Sequence, residues 1–175
     1  MNPVRAFLRR HRRIALDTSV FVYQLQADPR FVAFTDAIFE WVERPRHKAV
    51  TPTVTMTALL APAYGQPTAD GEMSEERVDE FFALLSTYPN LDWISLDLEI
   101  ATIAAELRAR HQLRPQAALV AATAVRQQAT GLVTDDPAVE RVKAFETLVL
   151  SHLPTGGTEG AEASHPPDVD AAQIV

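Results

Sequence analysis

Short apolar segments alternate with amphipathic segments along this chain. The short segments end at polar or turn-forming residues, and between them apolar side chains recur every three or four positions. The first pattern is typical of buried strands, and the second is typical of helices with one buried face. Strands are predicted at residues 14–17, 48–52, 91–96, 131–134 and 147–150. Their alternation with helices predicts an α/β domain with a parallel sheet joined by crossover helices.

The helices between these strands have recognisable ends. Pro45 and Pro62 are expected to end two of them, and Asp97 is expected to cap the start of another. Helices are predicted at residues 20–26, 31–42, 54–60, 74–87, 97–110 and 115–128. Residues 63–73 are rich in Gly, Pro, Thr and Asp, which predicts a loop.

Charge is concentrated at the two ends of the chain. Residues 1–13 contain five arginines and form a predicted basic arm. This arm is expected to contact phosphates, to lie as a solvated terminal segment, or to form a first helical turn whose arginines extend to solvent. Residues 154–175 contain four acids, no Lys or Arg, and few large apolar residues, which predicts a disordered acidic tail. The domain itself is expected to span residues 14–153.

Composition restricts the class of protein. A length of 175 residues with 47% hydrophobic residues suits one domain with a substantial core. The absence of cysteine excludes disulfides and thiolate metal sites, and it fits a reducing cytoplasm. No apolar run is long enough to cross a bilayer, and the basic start lacks the pattern of a secretion signal. We therefore expect a cytoplasmic protein without a membrane partner.

A carboxylate stands at the end of the first predicted strand. Asp17 follows a short apolar run and precedes Thr18, Ser19 and a helix. In open α/β sheets, ligand and metal sites lie at the carboxyl ends of strands, which favours a functional role for Asp17. Asp, Thr and Ser are also common helix caps, so a purely structural role is the alternative.

Two more carboxylates follow the fourth predicted strand. Asp135 and Asp136 come directly after Thr134 in the sequence VTDDP. If the first and fourth strands are neighbours, Asp17 and these two acids reach the same edge of the sheet. Carboxylate oxygens are the ligands that Mg²⁺ and Mn²⁺ prefer. An ordinary turn is the alternative, since Asp-Asp-Pro is frequent in turns.

Four segments together resemble the PIN domain, and within it the VapC-type toxin ribonucleases of bacterial toxin–antitoxin pairs. In chain order, between residues 14 and 152, they are IALDTSVFVY, TVTMTALLAP, LRPQAALVAATAV and GLVTDDPAVERV. The resemblance implies a three-layer α/β/α fold around a central, mostly parallel sheet of about five strands. It also implies a metal-dependent RNA-cleaving site built from four acids.

The resemblance assigns the first and last of those four positions to acids of this chain. Asp17 matches the first position, with Ser19 at the small polar position beside it. Asp136 matches the last position, and Asp135 is an additional carboxylate. Asp17 and Asp136 are therefore the expected catalytic residues, and Asp17, Asp135 and Asp136 are the expected ligands of Mg²⁺ or Mn²⁺. Ser19 is expected to orient a metal-bound water.

The other two positions hold alanine. Ala58 stands where the resemblance implies a Glu, and Ala117, preceded by Gln116, stands where it implies an Asp. Without these two carboxylates the site has fewer metal ligands, so we expect metal binding to be weak or absent. The same loss argues against a two-metal mechanism. A single ion between Asp17 and Asp136 is the alternative, because Mg²⁺ often needs only one or two protein carboxylates.

Two functions are compatible with this set of residues. One is a Mg²⁺-dependent endoribonuclease of low activity, in which Arg114 at the crevice rim positions an RNA phosphate. The other is a catalytically inactive PIN fold that binds RNA or a partner protein. The resemblance further implies an antitoxin-like peptide as a partner and a homodimer as the assembly.

Overall fold

The structure is a computed structural model that describes residues 3–64 and 75–154. Its centre is a five-stranded sheet in the order β3-β2-β1-β4-β5, and every pair of neighbouring strands is parallel. The strands are β1 (Arg13–Leu16), β2 (Lys48–Pro52), β3 (Leu91–Ile94), β4 (Gly131–Thr134) and β5 (Glu146–Val149). The predicted parallel sheet is confirmed. The first and fourth strands are neighbours, which is the condition under which Asp17 and the two later acids reach the same edge.

Helices cover both faces of the sheet. They are α1 (Pro3–Leu8), α2 (Thr18–Leu25), α3 (Val32–Val42), α4 (Val54–Tyr64), α5 (Glu75–Ser86), α6 (Leu98–His111) and α7 (Pro115–Arg126). Short 3₁₀ helices follow β4 at Pro137–Arg141 and β5 at Leu150–His152. Among the described residues, no helix is long and apolar enough to cross a membrane.

The two faces of the sheet bury separate apolar clusters. Alternate strand residues point to opposite faces, so Leu16 and Val133 join α1, α2 and α3 in one cluster. Ala15 and Leu132 join α6 and α7 in the other cluster. The alanine-rich face of α7 is buried there, because small side chains let the helix approach the sheet closely. This arrangement confirms the three-layer α/β/α fold.

The first helix is an element that the strand and helix patterns did not predict. Val4, Phe7 and Leu8 of α1 are fully or almost fully buried, so this part of the predicted basic arm packs on the domain. A Cβ atom at Gly131 would lie 2.7 Å from Cζ of Phe7, so the absence of a side chain there lets α1 approach β4. The apolar spacing i, i+3, i+4 was the available signal, and the surrounding arginines obscured it.

The expected end of α4 before Pro62 is wrong, because the helix continues to Tyr64. Proline cannot donate to the carbonyl four residues earlier, and its ring crowds that carbonyl, but the residues that follow it can still have helical backbone, as those up to Tyr64 do. The remainder of the predicted loop, residues 65–73, lies outside the described residues. The predicted acidic tail also lies outside them, apart from Pro154.

Candidate active site

The carboxyl ends of β1 and β4 form the point where the strand order of the sheet reverses. Leu16 pairs with Val133 in these neighbouring strands, so the residues that follow them emerge side by side. From β1 the chain proceeds to β2 and β3 on one side, and β4 and β5 lie on the other. Crevices at such reversal points are the usual ligand sites of open α/β sheets. Asp17 and Asp136 both lie at this crevice.

Asp17 is held by hydrogen bonds to both carboxylate oxygens. Its Oδ1 accepts a hydrogen bond from the backbone N–H of Thr18 at 2.7 Å, at the first turn of α2. Its Oδ2 accepts a hydrogen bond from the hydroxyl of Thr134 at 2.5 Å. The cap and the functional role weighed from the sequence are therefore compatible, because one oxygen caps α2 while the other faces the end of β4.

Thr134 connects the two acids of the crevice. Its hydroxyl donates to Asp17 and accepts a hydrogen bond from the backbone N–H of Asp136 at 2.9 Å. The side chain of Asp136 also caps the following 3₁₀ helix, since its Oδ1 accepts from the N–H of Ala138 at 2.9 Å. We had assigned no role to Thr134 from the sequence, although its position at the end of β4 was visible.

Arg114 faces the second acid of the crevice. Its Nε and Nη2 both lie 3.3 Å from Oδ2 of Asp136. The Arg114 side chain is 65% exposed, whereas that of Asp136 is only 10% exposed. The guanidinium therefore lies over the mouth of the crevice, against the oxygen of Asp136 that does not cap the 3₁₀ helix.

The electrostatics of the crevice act mainly on Asp17. Burial raises the pKa of its carboxyl above the ordinary value, and the nearby charge of Asp136 raises it further. The hydrogen bonds from Thr134 and Thr18 and the positive charge of Arg114 lower the same pKa, but burial outweighs them. The ionised form of Asp17 is thus less favoured than that of an exposed aspartate, because burial raises its pKa.

Asp135 makes contacts different from those of Asp17 and Asp136. Its carboxylate accepts hydrogen bonds from the hydroxyl of Tyr23 and from the N–H of Ser151, the latter at 2.8 Å. Its backbone N–H donates to Oγ of Ser19 at 3.1 Å. Burial and the neighbouring carboxylate raise the pKa of Tyr23, so the hydroxyl keeps its proton and remains a donor. Asp135 and Ser19 therefore connect α2 to the ends of β4 and β5.

Neutral polar side chains line the other side of Asp17. Nε2 of Gln116 donates to the hydroxyl of Thr18 at 2.7 Å, and Thr18 lies 3.3 Å from the hydroxyl of Thr55. Thr55 in turn accepts from Thr51 at 3.1 Å, and both of these threonines are fully buried. This chain of hydroxyls begins on β2 and ends at the start of α2, and it carries no charge.

The two alanines differ in their surroundings. Ala58 is exposed on α4, whereas Ala117 is buried near the start of α7. Within residues 3–64 and 75–154, no group of three or more His, Cys, Asp or Glu side chains is placed to hold a metal ion. The guanidinium of Arg114 contacts Asp136. The described side chains therefore fit a resident divalent cation poorly, because they offer it fewer than three such ligands and place a positive charge beside Asp136.

Comparisons with known proteins agree with the architecture. A model of the PIN domain matches residues 14–144. VapBC2 from Rickettsia felis, solved bound to a DNA fragment from its promoter, is 13% identical, with a TM-score of 0.55 over 78% of this chain and 98% of that chain. FitAcB from Neisseria gonorrhoeae is 19% identical, with a TM-score of 0.56 over 80% of this chain and 99% of that chain.

A further solved structure has the same fold. VapBC-1 from nontypeable Haemophilus influenzae is 16% identical, with a TM-score of 0.58 over 79% of this chain and 98% of that chain. No curated protein sequence matches the chain. At identities this low, the solved structures establish a shared fold alone. The family model establishes membership of the family, because it matches most of the chain, from β1 to just before β5. The chain belongs to the PIN domain family.

Proposed function

We propose that this chain is a PIN domain of the VapC type in which metal-dependent RNA hydrolysis is weak or lost. One observation carries the proposal: the crevice holds Asp17 and Asp136, while alanine occupies the two other positions where the resemblance implies acids. Ala58 and Ala117 offer no oxygen to a metal ion or a water molecule.

The chemistry of phosphodiester cleavage explains why this loss matters. A divalent ion supplies the positive charge that neutralises the transition state and activates water. With Arg114 against Asp136 and neutral side chains beside Asp17, the described crevice lacks the negative charge that would concentrate such an ion. The residues that remain can hold a phosphate near Arg114, but they supply no strong base for water. Binding without efficient turnover is the expected outcome.

The experiment that tests this function is an RNA cleavage assay with the full chain. With Mn²⁺ or Mg²⁺ at millimolar concentration, we expect at most trace cleavage, and Asp17→Asn is expected to change the rate little. Retention of RNA in EDTA without cleavage would favour the RNA-binding form of this proposal. Rapid, metal-dependent cleavage that Asp17→Asn abolishes would contradict the proposal.

A protein-binding function is the second candidate, and large apolar side chains on the exposed surface of α4 and α5 favour it. Tyr64 is 47% exposed, Phe82 is 48% exposed and Leu84 is 57% exposed. Phe82 and Leu84 are two residues apart, so they lie on different sides of α5 and not in one patch. Large apolar side chains that remain exposed on neighbouring helices are candidates for contact with a partner. The VapBC structures described above pair two proteins, so we propose an antitoxin-like peptide or a second copy of this chain as the occupant.

Sedimentation of the full chain tests whether this surface holds a second copy. A dimer is expected for the wild-type chain, and the double substitution F82D/L84D is expected to convert it to a monomer, because buried charge opposes association. The matched control is T102D, which places an acid on the exposed side of α6. A dimer that survives F82D/L84D would contradict the assignment of this surface.

A further inference from the structure

The guanidinium of Arg114 forms an ion pair with Asp136 at the crevice. Two of its nitrogens lie 3.3 Å from Oδ2 of Asp136. Its positive charge therefore lies directly against one of the two crevice acids. The hydrogen bonds that Asp17 accepts from Thr134 and Thr18, and the one that Asp136 accepts from the N–H of Ala138, come from neutral donors, so they do not replace this charge.

The backbone conformation of Arg114 places its side chain at the rim of the crevice. Arg114 is the residue immediately before α7, and Pro115 is the first residue of that helix. Proline restricts the backbone of the residue before it, and Arg114 has the extended conformation, with ψ of 152°. The side chain thus starts from a defined backbone position at the crevice rim.

We propose that Arg114 is the resident cation of this crevice and that it takes the place that a divalent metal ion would otherwise occupy beside Asp136. This inference rests on the proposed function, since it gives a physical reason why the two remaining acids bind metal poorly. A metal ion that approaches Asp136 must displace the guanidinium or share its oxygen against the repulsion of a positive charge. Arg114 thereby acts against metal binding at Asp136.

Neutralising Arg114 should accordingly increase metal affinity. Removing the positive charge beside Asp136 removes a repulsion that an incoming cation would meet. Since Arg114 is largely exposed and solvent screens its charge, we expect only about a tenfold lower midpoint for Mn²⁺. Without metal, the variant should be slightly less stable than wild type, because Asp136 loses its charged partner.

The experiment is a thermal unfolding titration of the full chain with MnCl₂ at constant ionic strength, for wild type and Arg114→Gln. Mn²⁺ that binds the native state raises the melting temperature in proportion to the logarithm of its concentration over the dissociation constant. R114Q should respond at about tenfold lower Mn²⁺ than wild type. R114Q/D136N should lose this response, because the metal-binding oxygen is replaced by an amide.

A matched control comes from the other end of the same helix. Arg126 pairs with Glu99 at 2.7 Å and is also partly exposed, so Arg126→Gln removes a comparable ion pair away from Asp136. R126Q should respond to Mn²⁺ as wild type does. Equal midpoints for R114Q and wild type would overturn the role of Arg114 alone. Tight Mn²⁺ binding together with RNA cleavage by wild type would instead contradict the proposed function.

Discussion

The double substitution A58E/A117D is expected to give this chain a Mn²⁺-dependent ribonuclease activity at least about 100-fold above that of wild type. Ala58 is exposed on α4, so a glutamate is accommodated there without steric conflict. Ala117 is the third residue of α7, where the helix dipole stabilises a carboxylate. With Asp17 and Asp136, the new acids would supply four carboxylates. A restored metal then provides the charge that the wild-type crevice lacks.

Neutral substitutions distinguish this result from a general effect of larger side chains. A58Q/A117N has nearly the same shape as A58E/A117D but adds no charge, so its cleavage rate should equal that of wild type. Adding Asp17→Asn to A58E/A117D should abolish the new activity. The two measurements are the rate of cleavage of a labelled RNA and the Mn²⁺ midpoint in thermal unfolding. If A58E/A117D folds and binds Mn²⁺ but leaves RNA intact, the assignment of Ala58 and Ala117 is wrong.

Asp135→Ala is expected to lower the free energy of unfolding by about 2–3 kcal/mol. The carboxylate accepts hydrogen bonds from the Tyr23 hydroxyl and from the N–H of Ser151, so its removal leaves both donors unpaired. Because these contacts connect α2 with the segment after β5, the loss is structural. That Asp135 ligates a metal stays a prediction, and these contacts give the same carboxylate a structural role as a hypothesis.

A double-mutant cycle with Tyr23→Phe measures the Tyr23–Asp135 contact. Urea unfolding of wild type, Y23F, D135A and the double variant gives a coupling free energy, which we expect to be about 1–2 kcal/mol. Asp92→Ala is the matched control, because Asp92 pairs with Lys48 at the surface and its loss should cost at most about 0.5 kcal/mol. A D135A variant as stable as D92A would refute the structural role of Asp135. A changed Mn²⁺ response in D135A would indicate that Asp135 is a metal ligand.

Much of the architecture follows from the order of apolar segments. The strands 48–52 and 131–134 are placed as predicted, because buried strands in a parallel sheet are continuous short apolar runs bounded by turn residues. The placement of Asp17 beside Asp136 follows from the adjacency of β1 and β4. Helix α1 was missed because its three buried positions lie among arginines. One helical turn of apolar spacing is a weak signal in a segment that is otherwise strongly basic.

The chemistry of the crevice depends on contacts that sequence spacing does not determine. Arg114 is 22 positions away from Asp136, and only the fold shows that the two side chains meet. Asp135 and Asp136 are adjacent in sequence but serve different elements, since successive residues of an extended segment point in opposite directions. Tyr23 and Ser151 therefore hydrogen-bond to Asp135, whereas Asp136 lies in the crevice.

The most direct test of the central claim is a crystal of the wild-type chain soaked in millimolar Mn²⁺ and measured for anomalous scattering. We expect no ordered manganese peak between Asp17 and Asp136, with Arg114 remaining against the carboxylate of Asp136. A strong anomalous peak within coordination distance of both carboxylates, with Arg114 displaced, would contradict the account.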